Sequence, residues 1–128
     1  MSCAINIDHD NKLIRYKHTG NIKAENIEEA WQQFLTIKEF TEENYNLMSD
    51  YRNSQFDIHR SQVHTIIDFM KTIERIVRGK KQSLIVDNPY STAASEIFAK
   101  MVFDETGFKV KVFSTTEAAF DWLCDEAA

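Results

Sequence analysis

The chain has 128 residues, 43% of them hydrophobic and 27% charged, which suits one globular domain with a core of its own. Fifteen basic against 20 acidic residues give a net charge of −5, and this argues against nucleic acid or an anionic membrane as partner, because both reward a basic surface. No apolar run approaches the ~20 residues of a membrane span, and the start, Met1 to Asp8, lacks the basic opening of a signal peptide.

Residues 2–8 alternate, with Cys3, Ile5 and Ile7 opposed to Ala4, Asn6 and Asp8. His9-Asp10-Asn11 is turn-rich, and residues 12–19 resume the alternation with Ile14, Tyr16 and His18 opposed to Arg15 and Lys17. The pair predicts an antiparallel hairpin with one wet face, closed at Gly20. From Ala24 the period becomes 3.6: Ile27, Ala30, Trp31, Phe34 and Leu35 form a stripe, and the acidic first turn suits the helix dipole. After a polar stretch, Asn46 to Arg52 reads as a third strand.

Arg60 to Arg78 is the longest helical pattern, with Val63, Ile66, Ile67, Met70, Ile73 and Val77 on one side and Gly79 at its end. The basic run Lys71, Arg75, Arg78, Lys80 and Lys81 reads as a solvated helix cap, with a docking patch for an acidic partner as the other reading. From Ser83 to Val86 the apolar residues Leu84, Ile85 and Val86 run without alternation, the pattern of a fourth strand covered on both faces. Asp87-Asn88-Pro89 stops it, and Ser91 is the expected N-cap of a helix to Thr106, whose inner side is Ala94, Ile97, Phe98 and Met101. Gly107 ends that helix. Phe108, Val110 and Val112 alternate with Lys109 and Lys111 in a fifth, edge strand, and Thr115 or Thr116 caps a last helix with Ala118, Ala119, Trp122 and Leu123 inward. Cys3 and Cys124, without C-x-x-C spacing, read as two buried free thiols of a reducing cytosol.

The order β-β-α-β-α-β-α-β-α predicts one α/β domain over residues 1–128, a mixed five-stranded sheet with right-handed crossovers, buried deepest in its middle. Ligands in such folds gather at the carboxyl ends of the inner strands. There Arg52, Asn53, Asp87, Asn88, Tyr90 and Ser91 offer polar groups, with Trp31 or Phe56 as an apolar wall. Asp50 and Asp87 fall at the same end and suit acid–base work or a cation, or else cap their own turns by accepting loop N–H bonds. His9, His18, His59 and His64 have no metal spacing, and His18 reads first as a satisfied core histidine. With only Gly20, Gly79 and Gly107 there is no glycine-rich phosphate cradle, and no cofactor is implied.

Three landmarks carry a resemblance over the whole length. They are Gly20 ahead of an acidic helix, the strand-then-Asp segment Leu47-Met48-Ser49-Asp50-Tyr51-Arg52, and the ending Val112-Phe113 through Glu117-Ala118 to Trp122-Leu123. In these the chain resembles the SpoIIAA-like proteins, relatives of the STAS domain of sulfate transporters and anti-sigma-factor antagonists. The resemblance implies a β-α superhelix and a small cytoplasmic bacterial protein. It implies a non-catalytic binding or regulatory module acting through protein–protein contacts. It also allows a small apolar or lipid-like ligand, because the SEC14 lipid-transfer fold is often grouped with these domains. An enzyme using Asp50, Asp87 and His18 ranks last. Anti-sigma-factor antagonists carry a phosphorylated Asp-Ser pair after the third strand. Here Asp57 is followed by Ile58 and the nearest serine downstream is Ser61, four positions on, so the phosphoserine switch is not carried over.

Nine phenylalanines, four tyrosines and two tryptophans exceed what one small core holds. Val102 and Phe103 widen the apolar face of the helix that follows Ser91, which predicts a homodimer through that face unless Phe103 folds back near Trp122.

Overall fold

A computed structural model describes residues 2–125. The opening hairpin pairs β1 (Ser2–Asp8) with β2 (Leu13–Lys23) antiparallel, Ile5 opposite Tyr16. Its turn is closed by Asp8, whose carboxylate accepts from the Asn11 backbone N–H at 3.1 Å and from Asn11 Nδ2 at 2.9 Å. After α1 (Ala24–Phe34) and the one-turn α2 (Lys38–Thr41), β3 (Asn46–Asp50) lies parallel to β2. A short β4 (Ser54–Asp57) follows, then α3 (Arg60–Thr72) and α4 (Glu74–Val77). β5 (Lys81–Ile85), α5 (Pro89–Thr106), β6 (Lys109–Phe113) and α6 (Thr116–Cys124) complete the chain.

The expected five-strand path is present in the order β1-β2-β3-β5-β6, antiparallel only at β1, so the α/β mixed sheet stands as predicted. A sixth strand extends it: β4 pairs parallel with the far half of β2, from Gly20 opposite Ser54 to Lys23 opposite Asp57. β2 reaches that far because it bends rather than stops at Gly20, where φ is 103° and the N–H donates to Asn53 O at 3.2 Å.

The sheet has two unlike faces. Ile14, Tyr16, Leu47 and Leu84 point to the side covered by α1, α3 and α5, where Phe34, Phe40, Met70, Val102 and Phe108 complete the main core. Edge-to-face rings knit it, Tyr16 to Phe34 at 5.1 Å and Trp31 to Phe108 at 5.8 Å. Leu13, Met48 and Ile85 point to the other side and meet Ala119 and Leu123 of α6.

Several sequence expectations are corrected. The long helix breaks at Ile73, which leaves helical geometry at φ −112° and ψ 22°; just before it the Thr72 hydroxyl donates to Phe69 O at 2.6 Å, competing with the helical ladder. Asn88, not Ser91, caps α5: its Oδ1 accepts from the Ser91 N–H at 2.8 Å, and Pro89 takes the first helical position. Lys80 and Lys81 are buried rather than solvated. Lys80 Nζ donates to Glu43 O at 3.1 Å and Tyr45 O at 2.9 Å, and Lys81 Nζ donates to Trp122 O at 3.0 Å. Burial holds both ammonium groups below their ordinary pKa. Cys3 and Cys124 are free but exposed, one on the edge strand and the other past Leu123 at the end of α6. On α5, Val102 is buried while Ile97 and Phe103 are each 52% exposed, and Trp122 packs on Phe113 instead of Phe103. Among the described residues no helix is long and apolar enough to cross a membrane.

Candidate functional site

β3 and β5 run parallel and end side by side, and the loops that follow them carry the residues singled out from the sequence. Asp50, the last residue of β3, accepts from the Arg52 backbone N–H and from Nε, both at 3.0 Å, and from Nη2 at 2.7 Å. Lys17 Nζ adds a contact at 3.3 Å. Burial opposes the charged carboxylate, but the Arg52 and Lys17 donors outweigh it and hold the Asp50 pKa below the ordinary range. Arg52 also donates to Thr116 Oγ1 at 2.9 Å, so its side chain is committed to the α6 side.

The other loop residues tie the two loops to each other. Asn53 sits at φ 62° and donates its N–H to Asp87 Oδ2 at 3.0 Å. Asn88 Nδ2 donates to Ser54 O at 3.3 Å, and the Tyr90 hydroxyl donates to Ile58 O at 3.2 Å. Asn53, Asp87, Asn88 and Tyr90 therefore share one open cleft, with Gly20 and Phe56 beside them. Arg52 is turned away from it, and Ser91 lies fully buried in the first turn of α5. Trp31 is not a wall of this cleft.

The residues of the enzymatic reading are not brought together. Asp50 follows Met48 in the alternation toward α6, whereas His18 follows Ile14 and Tyr16 toward α1, so the sheet stands between them. Asp87 is engaged by Asn53. His18 Nδ1 shares a 2.6 Å hydrogen bond with the Tyr16 hydroxyl, which also accepts from Cys3 Sγ at 3.4 Å. Burial pushes the His18 pKa down and the Tyr16 pKa up, keeping both neutral. Among the described residues no three His, Cys, Asp or Glu side chains gather at one point.

A second site lies within the main core. A cavity of about 70 Å³ sits between the sheet and α1, α3 and α5, walled by Trp31, Tyr51, Phe56, Ile66, Leu84 and Phe98. Two polar residues interrupt this lining, Gln82 of β5 and Ser95 of α5, each 2% exposed. Gln82 Nε2 donates to Ser49 Oγ at 3.0 Å, while Gln82 Oε1 and Ser95 Oγ have no partner within the protein. Toward the surface, Ile58, Val63 and Ala94 border both this cavity and an open groove between α3 and α5, which Ile97, Met101, Tyr90, Arg60 and His64 line.

Sequence reasoning missed Gln82 and Ser95. Gln82 lies one residue before the strand that the apolar run predicts, although a lone glutamine entering such a run is itself a signal. Ser95 is adjacent to Ala94 and four residues past Ser91, so the two buried serines lie one turn apart on the inner face of α5.

The sequence matches no family model and no curated protein. Among solved structures, the chain superposes on an uncharacterised protein of the DUF3478 family with a SpoIIAA-like fold from Shewanella loihica PV-4. The TM-score is 0.60 at 14% identity, covering 96% of this chain and 93% of that one. The fold of the chain is SpoIIAA-like, as the sequence landmarks implied.

Proposed function

We propose that this protein is a non-catalytic binding module that takes a small apolar or lipid-like ligand between its sheet and the helices α1, α3 and α5. One observation carries the reading: an apolar cavity in the main core shares Ile58, Val63 and Ala94 with the groove between α3 and α5 and holds two buried polar atoms unmatched by the protein. Ligand pockets are built in this way, mostly apolar with a few fixed polar groups. The carboxylates and the histidine that chemistry would need are paired, separated by the sheet, or held neutral, which favours binding over catalysis. The free thiols Cys3 and Cys124 support a place in a reducing cytosol. Native mass spectrometry tests the reading. Co-purifying small-molecule mass lost on denaturation supports it, as does stoichiometric uptake of an apolar fluorescent probe that Ala94→Phe blocks. A bare chain that takes up no such probe overturns it.

Contacts with other protein chains, ranked first from the sequence, form a second reading with its own support. Ile97 and Phe103 of α5 are half exposed, and Tyr90 is 56% exposed. Self-association as a homodimer through α5 accounts for them. Sedimentation at micromolar concentration decides it: a dimer that Phe103→Glu dissociates supports this reading, and a single species near 14.9 kDa removes it.

A further inference from the structure

Native cores rarely leave two buried polar side-chain atoms unmatched on one cavity wall. The Gln82 amide is held at its nitrogen by Ser49, so its oxygen is the atom on offer, and the Ser95 hydroxyl can donate or accept. Together they suit a group that brings at least one donor, such as a hydroxyl or a carboxamide. No lysine, arginine, histidine or carboxylate borders the cavity. An ionised head would therefore be buried without a counter-charge, which is far costlier than burying a neutral one. The volume, about 70 Å³, is about half that of a cavity of ~150 Å³ that holds benzene, enough for a head and its first carbons but not for a chain. The chain's way out is given by Ile58, Val63 and Ala94, which belong to the cavity and the groove alike.

We propose that the ligand is a neutral single-chain amphiphile bound head-inward, its hydroxyl or carboxamide on Gln82 Oε1 and Ser95 Oγ and its apolar chain leaving along the α3–α5 groove. This rests on the cavity being a small-ligand site. The opposite orientation has a distinct signature. A head-outward ligand would place its polar group near Arg60 at the rim of the groove, and that cation would favour an anion.

The test is titration of 1-decanol, decanamide and decanoate at neutral pH into ¹⁵N-labelled protein, with the Gln82 and Ser95 amide signals as reporters of the cavity. Decanol and decanamide are expected to bind at least about tenfold more tightly than decanoate, the scale of one well-made buried hydrogen bond. Ser95→Ala and Gln82→Leu should each cut that preference to within about threefold. Two variants are used so that a folding defect in Gln82→Leu, checked by thermal unfolding, leaves Ser95→Ala to decide. Equal or tighter binding of decanoate overturns the head-inward orientation, as does a preference that neither variant changes. In both cases the cavity still binds and the proposed function stands. If no probe moves the Gln82 and Ser95 signals, the orientation and the proposed function fall together.

Discussion

The Asn53 backbone N–H meets the Asp87 carboxylate at 3.0 Å, joining the loop after β3 to the loop after β5. The contact exists because Asn53 takes a left-handed conformation, φ 62°, turning the chain from β3 into β4. Asn53 O then accepts from the Gly20 N–H, so one residue also pins the bend in β2. Asparagine tolerates this region better than a residue with an ordinary Cβ branch. Asn53→Ala is expected to lower stability by about 1 kcal/mol, and Asn53→Gly to leave it within about 0.5 kcal/mol. Urea unfolding of the two variants measures the difference; equal losses would mean that the side chain, not the backbone, matters there.

That turn also shows where sequence reading stops. The five strands, the inward faces of α1 and α3 and the cap at Thr115 were legible because hydrophobic period and turn chemistry act locally. β4 was not, since four residues alternating beside a longer strand carry no pattern until the bend at Gly20 brings β2 alongside. Lys80 and Lys81 read as solvated because the carbonyls that bind them, Tyr45 and Trp122, lie 35 and 41 residues away in the chain. Of the strand-end residues, Asn53, Asp87, Asn88 and Tyr90 share one cleft while Arg52 and Ser91 do not, and their partners in the facing loop could not be read from their own neighbourhood. The cavity was invisible for the same reason: its lining comes from α1, α3, β4, β5 and α5, and only packing brings Gln82 and Ser95 onto one wall.

Arg52 holds Asp50 through both nitrogens of its fork and reaches Thr116 at the start of α6. Charge-assisted pairs of this geometry are stronger than single contacts, although partial exposure of Arg52 screens the gain. Arg52→Ala is expected to cost about 1–2 kcal/mol. Because the folded state holds the Asp50 pKa below its unfolded value of about 4, the pair's contribution is complete above that pH and is lost as pH falls through the folded value. Stability measured at pH 7 and at pH 3 should therefore differ less in Arg52→Ala than in the parent. An undiminished difference would place the acid sensitivity in other carboxylates.

The two serines nearest the missing phosphorylation site differ in access. Ser54 is buried, its hydroxyl donating to Tyr51 O, whereas Ser61 is exposed in the first turn of α3. A negative charge at Ser61 meets the positive end of a helix, so Ser61→Asp should be neutral or stabilising by about 0.3–1 kcal/mol, with no change in oligomeric state or probe binding. At Ser54 the same charge would be buried without a partner, and Ser54→Asp should unfold the protein at room temperature. Thermal unfolding and sedimentation of both variants check this. A Ser61→Asp protein that changes partner or oligomeric state would restore a phosphate switch at that position.

His18 supplies the last expectation. It is 4% exposed, shares its Nδ1 with the Tyr16 hydroxyl and has no protein partner at Nε2, with the Tyr51 ring centred 6.4 Å from its own. Burial disfavours the imidazolium, so its pKa in the folded state lies below the unfolded value of about 6.5. Between those two values the unfolded chain binds a proton that the folded one refuses. Stability is then fully present above about pH 6.5 and falls as pH drops toward the folded pKa, by at most about 1.4 kcal/mol per pH unit for one proton. His9, His59 and His64 are all exposed, which leaves His18 as the buried histidine of the chain. Urea unfolding at half-unit steps from pH 7.5 to pH 5 should show this slope in the parent and a flatter one in His18→Gln, whatever that variant's absolute stability. A slope that survives the substitution would mean that the acid response comes from outside the Tyr16–His18 pair.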